Sequence, residues 1–441
     1  MTALNLALSK LGPTSARLAI VILIAAGLNL DCTGSTSASS GSSPSASPAC
    51  AWPILAHAPT STGCLLDSAA AYWLDTFQVY SDLRIVLTGR YPDARYASIS
   101  VYTSRTSSFT TNGVGSDLTD YQIVPDAGSI NPWQQSGPAG GKFTITLRLD
   151  ISPGQANTLP LAPAGTPDGS KGYLQYRVYL PAGGDVSKLM VPTITLQRGG
   201  HSTTLRNCAN PSVPSPTAPA AATPSPQSSP TGSSPAAPAQ LQFFRPKAQG
   251  LFNYDFPNPD SVYLLTYFVA PSPGGVVVIQ AKAPMAPAGE HPSPWPAATT
   301  DLRYWSMCVY ADLGTAGLPM VANPLPDGTT DLGCRYDQQA KLNAAGQYTF
   351  VIGTESQRAA IEQIPGMTLL PLSSVQSPAL YLLLLRNMLV NSTFAFPIQQ
   401  VPQDGNAASA VAALGAYYPR AVKCTLSMLT RGGPPACLNQ K

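Results

Sequence analysis

Ionic side chains are scarce: Asp, Glu, Lys and Arg make up 11% of the 441 residues, where roughly a quarter is usual for soluble domains. A net charge of +3 over so few groups leaves no basic stripe with interleaved aromatics, which argues against a nucleic-acid partner. Histidine is rarer still. His57, His201 and His291 stand apart, outside any His-x-x-x-His or Cys-x-x-Cys spacing, so no metal site is expected. The chain also lacks a Gly-x-Ser-x-Gly elbow and a phosphate-cradling Gly-x-x-x-x-Gly-Lys loop. No cofactor is expected.

What the chain has instead is proline (45), glycine (36) and tyrosine (19) within a 44% apolar composition. That apolar share suits folded domains, and the length allows two or three of them. Near the start, Lys10 and Arg17 precede the apolar run Leu18 to Leu30. At about 13 residues this run is short for a membrane span and suits a signal-peptide core. Cys32 directly after it is a lipidation candidate, although Asp31 stands where lipoprotein signals carry a small residue. Cleavage after Gly27 and an uncleaved anchor are the competing outcomes. An extracytoplasmic protein, surface-anchored or secreted, is expected, touching the membrane only through this N-terminal segment.

Two low-complexity tracts divide the rest. Residues 32–49 are rich in Ser, Thr, Ala, Gly and Pro, and 209–240 are Pro/Ala/Ser-rich and uncharged. Neither buries enough apolar area to offset ordering entropy, so both are read as disordered. The expected organisation is 1–31 signal peptide or anchor, 32–49 stalk, 50–208 first domain, 209–240 linker and 241–441 second domain. An extended linker of that length could hold the domains up to roughly 100 Å apart, while a flexible one averages nearer ~30 Å.

Both domains read as mostly β. "RIVLTG" at Arg84, "YASISVY" at Tyr96, "KFTITLRLD" at Lys142, "YLQYRVYL" at Tyr173 and "VPTITLQ" at Val191 are short β-branched and aromatic runs between turn residues. "GVVVIQAKAP" at Gly275, "RYWSMCVY" at Arg303, "QYTFVIGT" at Gln347, "YLLLLRNML" at Tyr381 and "FAFPIQQV" at Phe394 read the same way. "SQRAAIEQI" at Ser356 and "NAASAVAALGAYY" at Asn406 look helical.

The two halves also resemble each other. "DARYASISVY" at Asp93 matches "DLRYWSMCVY" at Asp301, and Gly141 to Thr144 matches Gly346 to Thr349. Leu174-x-x-Arg177-x-x-Leu180 matches Leu383-x-x-Arg386-x-x-Leu389. Asp67-Ser68 with Tyr72 corresponds to Asp260-Ser261 with Tyr263, and Pro192 to Pro397. Collinear matches of this kind predict two duplicated β-sandwich or jelly-roll-like domains joined by the Pro-rich linker.

"CAWP" at Cys50, "AAYW" at Ala70, "RYPDARYASISVY" at Arg90, "PDAGSINPW" at Pro125, "RYWSMC" at Arg303 and "YYPRAVKC" at Tyr417 carry a family resemblance. So do "VVVIQAKAP" at Val276 and "LLLRNML" at Leu383. The chain resembles uncharacterised secreted bacterial proteins with two Arg-Tyr-(Trp)-Ser-type β domains, remotely similar to widespread bacterial domains of unknown function. That resemblance implies a β-sandwich and supplies no reaction. "CLLD" at Cys64 departs from the pattern.

Candidate ligand-binding residues are Arg95, Tyr96, Asp126, Arg303, Tyr304 and Trp305. A guanidinium offers a bidentate fork to a carboxylate or sugar acid. The structural alternative pairs Arg95 with Asp93 or Asp126 and Arg303 with Asp301 or Asp331, tying strand to loop, and puts Trp73, Trp133 and Trp305 in packing roles. Carboxylates in "YPDARY" and "VPDAGS" are of the kind that hold turns. No catalytic set is assigned. Eight cysteines in an exported chain imply disulfides, and Cys50–Cys208, Cys308–Cys334 and Cys424–Cys437 are the expected pairs, with Cys64 left to Cys32 unless the latter is lipidated. The function expected is a non-catalytic envelope protein binding a glycan or another envelope component. The alternative is a hydrolase or lyase acting on polysaccharide or envelope material.

Overall fold

The computed structural model describes residues 50–61, 65–104, 107–213, 240–247, 256–314 and 317–439. The expected signal peptide or anchor, the stalk with Cys32, Cys64 and most of the linker lie outside the described residues. Three expected disulfides are present, Cys50–Cys208, Cys308–Cys334 and Cys424–Cys437.

The first half contains β1 (Ile54–His57), β2 (Ala70–Gln78), β3 (Arg84–Arg90), β4 (Ala94–Tyr102), β5 (Thr110–Thr111) and β6 (Val114–Gly115). It continues with β7 (Asp117–Thr119), β8 (Lys142–Arg148), β9 (Thr158–Pro160), β10 (Lys171–Pro181), β11 (Thr193–Arg198) and β12 (His201–Thr204). The second half contains β13 (Gln240–Leu241), β14 (Ser261–Phe268), β15 (Gly275–Lys282), β16 (Leu302–Asp312), β17 (Ala322–Pro324) and β18 (Thr330–Leu332). Then come β19 (Cys334–Tyr336), β20 (Gln347–Gly353), β21 (Met367–Pro371), β22 (Leu380–Val390) and β23 (Arg420–Thr425).

These strands form two sandwiches of one topology. The central order β2-β10-β4-β7 in the first half corresponds to β14-β22-β16-β19 in the second, and β11-β3-β8-β9 to β23-β15-β20-β21, while the edge strands differ: β1 has no counterpart, and β12 follows β11 where β13 precedes β14. Even the exceptional parallel pair recurs, as β8 with β9 and β20 with β21. Duplicated β-sandwiches are thus the observed architecture.

The central strands explain how the halves sit together. Successive strand residues point to opposite faces. In β4, Ala97, Ile99 and Val101 enter the core of the first sandwich, and in β16, Trp305, Met307 and Val309 enter that of the second. The opposite faces are not solvent-exposed. Every residue of β4 is buried, because Tyr96 and Tyr179 pack with Tyr304 and Met388 across the gap between sandwiches. The inner sheets therefore face each other. The serines and tyrosines on these faces of the central strands thus form an interface between the halves.

Three sequence readings need correction. "FAFPIQQV" is not a strand but a 3-10 turn at Ile398–Gln400, since Pro397 has no ladder donor and the Asn391 carbonyl turns the chain by accepting from Phe394 N. The strand equivalent to β11 is β23, so the Pro192 to Pro397 match fails. Asp67 corresponds to Asn258 rather than Asp260: the Asp67 carbonyl accepts from Ala70 N as the Asn258 carbonyl accepts from Ser261 N. Helices run over Arg358–Glu362 and Ala407–Leu414 where helices were expected. A further helical stretch, Leu426–Leu438, is kinked at Gly433 and carries Pro434 and Pro435, residues that hid it from helix reading.

Candidate functional site: the seam between the sandwiches

Arg95 and Arg303 open equivalent strands, and each reaches into the other half. Arg95 Nη1 donates to both oxygens of Asp337 at 2.7 Å, and its Nε and Nη2 donate to the Gly289 carbonyl. Arg303 Nη1 donates to Asp120 at 2.5 Å. All four side chains are buried. The partners expected from sequence are wrong for one physical reason: the nearby carboxylates are already engaged. Asp93 pairs with His291, Asp126 accepts from Thr144, Asp301 accepts from Met285 N, and Asp331 holds Arg335 and Arg358. Asp120 and Asp337 are themselves equivalent. Each also accepts from a backbone N–H of its own central strand, Ala97 and Trp305 respectively. A crossed, reciprocal arrangement of this kind is that of an isologous two-fold interface made within one chain.

A second crossed set lies deeper. Arg386 donates to Asp67 Oδ2 and to the Leu65 carbonyl, and Tyr304 Oη and Ser306 Oγ both donate to Asp67 at 2.6 Å. Its counterpart, Arg177, donates to the Phe256 carbonyl at 2.6 Å, to Tyr102 Oη and to Ser100 Oγ. Tyr310 and Tyr102 likewise donate to the carbonyls of Leu66 and Pro257. The backbone is bent alike at both places: Leu65 and Phe256 have φ of 54° and 53°, and Leu180 and Leu389 both have 48°. For bulky residues such left-handed conformations cost on the order of 1–3 kcal/mol each. At Leu65 and Phe256 they recur where carbonyls turn toward the opposite arginine, and at Leu180 and Leu389 where the backbone N–H donates to the carbonyls of Ala69 and Asp260. The symmetry breaks at one atom type, since Asn258 stands where the first half has Asp67. Arg177 accordingly meets carbonyls and hydroxyls, and Asp260 is taken instead by Tyr96 Oη at 2.8 Å and Thr119 Oγ1 at 2.5 Å.

Burial governs the titration here. It pushes the Asp120 carboxyl up to about 6 against the opposing pull of Arg303, and it raises Asp337 against Arg95. Burial also lifts the Tyr96, Tyr179 and Tyr304 hydroxyls well above the usual phenol range. These are neutral hydrogen-bonding groups.

Of the six residues singled out, Arg95, Tyr96, Arg303 and Tyr304 come together at the seam. Trp305 does not: its ring lies in the second core against Tyr348 and Phe350, with Nε1 donating to Pro284 O. Asp126 lies apart in a turn of the first sandwich. Sequence reasoning missed Asp67, Asp120 and Asp337 as partners, and nothing local marks them. Asp67 also lies with Cys308 and Cys334 in the one cluster of potential metal ligands among the described residues, but those sulfurs are bonded to each other.

At the edge of the seam a cleft of about 470 Å³ opens between the halves. Ala69, Leu180 and Val186 of the first sandwich form one wall, with Glu290, Arg335, Tyr336 and Gln339 of the second opposite. Glu290 belongs to the long β15–β16 connection, which has only a short equivalent between β3 and β4. That connection reaches across the first sandwich through Gly183 N to Glu290, Arg95 to Gly289 and Trp295 N to the Trp133 carbonyl.

The chain matches no family model and no curated protein. It is similar to the solved structure of an uncharacterised protein from Burkholderia cenocepacia, with a TM-score of 0.43 and 13% identity over 83% of this chain and 79% of that one. A structure from Vibrio parahaemolyticus matches with a TM-score of 0.40 and 11% identity, covering 82% and 90%.

Proposed function

We propose that this is an exported, non-catalytic envelope protein whose two sandwiches act as one body and bind a glycan or another envelope component in the cleft between them. The observation that carries this reading is the cleft itself, which has both halves as walls and ionic, amide and phenolic groups on one side only. Such a pairing of an apolar wall with a few polar groups suits ligand recognition. Two further features support it. The buried arginines of the repeated motif, Arg95 and Arg303, are engaged with the buried Asp337 and Asp120 of the opposite half and so hold the halves together. The three disulfides fit an oxidising, extracytoplasmic compartment. Attachment through Cys32, or release after cleavage, belongs to the same proposal, and Cys32→Ser distinguishes them by releasing an anchored protein or leaving its precursor unprocessed.

The test is a binding screen of the purified protein against glycans and envelope fractions, with reducing-sugar release assayed in parallel. Binding that weakens at least about tenfold in Tyr336→Leu and Gln339→Ala, with unchanged melting, supports the cleft. Release of reducing ends, abolished by the same substitutions, would replace the binding module by a hydrolase.

A further inference from the structure

The open end of the first sandwich holds a separate cavity of about 240 Å³. Phe77, Leu83, Ile85, Leu174, Ile194 and Leu196 supply its apolar walls, Thr76, Gln78, Tyr80 and Arg198 add polar groups, and Asp75 is the carboxylate among the lining residues. The inward face of β2 reads Ala71, Trp73, Asp75, Phe77, and alternation makes the third of these a core position. Asp75 is 4% exposed. Its oxygens accept from Trp52 N at 2.9 Å and Thr76 N at 2.7 Å. Among the described residues no Lys, Arg or His forms an ion pair with it. Buried carboxylates are normally paired with a cation, because isolated burial is costly.

The duplication provides a control. Asp75 lies opposite Leu174 on β10, and the equivalent of Leu174 on β22 is Leu383, which lies opposite Thr266. The second copy thus builds the same strand with a neutral residue, so the fold does not require an acid there.

We propose that the cavity is a binding site for a small organic ammonium ion, with the apolar walls holding its body and Asp75 serving as its counter-ion. The volume suits a ligand of this size: about eight waters would fill it at ~30 Å³ each, well below the space a drug-sized ligand takes. The other titratable or charged groups on its walls are Tyr80 and Arg198 at the rim, where Arg198 lies over the Tyr80 ring and pairs with Asp82. The Arg198 charge is thus met by Asp82, and the Tyr80 hydroxyl donates to Gln78. Burial raises the Asp75 carboxyl to about 6, and a bound cation would draw it back down. Binding an ammonium needs the ionised acid, so affinity should be flat above that value and fall about tenfold per pH unit below it.

Cyclohexylammonium and its neutral isostere cyclohexanol are the probes, titrated into the full chain by calorimetry at pH 5 to 8. The expected result is ammonium binding at least about tenfold tighter than the alcohol at pH 7.5, with the preference lost at pH 5. Asp75→Asn, checked for its melting transition, should abolish the preference. Leu196→Trp should fill the cavity and remove binding of both probes while leaving Asp75 in place. Equal affinity for the two probes, no binding of the ammonium, or binding that survives both substitutions would overturn the proposal. None of these readouts involves the cleft between the sandwiches.

Discussion

Replacing Arg303 by alanine should damage the sandwich that does not contain it. Arg303 and Asp120 are both buried, and Asp120 keeps two backbone donors, Ala97 N and Tyr121 N, when the guanidinium is removed. It loses its only ion-pair cation among the described residues. Breaking a buried pair from one side costs about 3–5 kcal/mol, because the remaining charge stays buried and uncompensated. The sign with pH follows from the carboxyl. Its folded value is already raised above 3.8 to about 6, and loss of Arg303 raises it further. The protonated acid is then tolerated at pH 5 and the ionised one is not at pH 8, so the penalty grows as pH rises. Urea unfolding of Arg303→Ala, Asp120→Ala and the double variant should give a coupling between about 0.5 and 3 kcal/mol. Amide exchange should show lost protection at Asp120 to Ile123, in the half that was not altered. Additivity within about 0.5 kcal/mol, or loss of protection confined to the second sandwich, would refute the crossed-pair account.

Other outcomes follow from the same geometry. Removing Cys50–Cys208, which closes a span of 158 residues, should destabilise by about 5 kcal/mol in the chain-entropy model, against about 3 kcal/mol for Cys424–Cys437 across 13 residues, as read by urea unfolding. Gly89→Ala places a Cβ 2.4 Å from the Phe143 ring and should cost about 1–3 kcal/mol by overpacking, visible as a lower melting temperature. For Asp75→Asn, the wild-type acid titrates near 6 when folded and near 3.8 when unfolded, so its stabilising contribution is complete below 3.8 and lost as pH rises through 6. The variant should therefore gain on the wild type by up to about 3 kcal/mol between pH 4 and pH 7; a pH-independent difference would contradict the buried carboxyl.

The strands were legible because alternation and β-branched runs are local signals. "RIVLTG", "KFTITLRLD" and "QYTFVIGT" became β3, β8 and β20. The seam was not legible, because "YASISVY" reads as a strand with one polar face, and Ser98 and Ser100 look the same whether they meet water or a second sheet. Which carboxylate an arginine finds is decided by tertiary packing: Arg95 and Asp337 are 242 residues apart. The cysteine pairs were accessible from order and spacing, since closing each unit on itself leaves few choices.

What the two copies keep and what they change separate scaffold from specialisation. Both retain the arginine that opens the central strand, the carboxylate of the following 3-10 turn that receives the opposite arginine, and the left-handed leucine near the end of the strand that carries Arg177 or Arg386. These positions are reciprocal, so a change on one side of the seam leaves a buried partner on the other, and either copy is held by its mate. No such reciprocal restraint acts at the open end of the first sandwich, and the β15–β16 connection contacts the first half without an equivalent contact in the other direction. There the copies differ: Asp75 against Thr266, and a long connection carrying Glu290 against the short turn at Asp93. A buried acid with no cation paired to it among the described residues is unfavourable for folding, and the second copy shows that the strand forms without it. Its presence in one copy therefore points to chemistry at that end, while the symmetric arginines point to assembly.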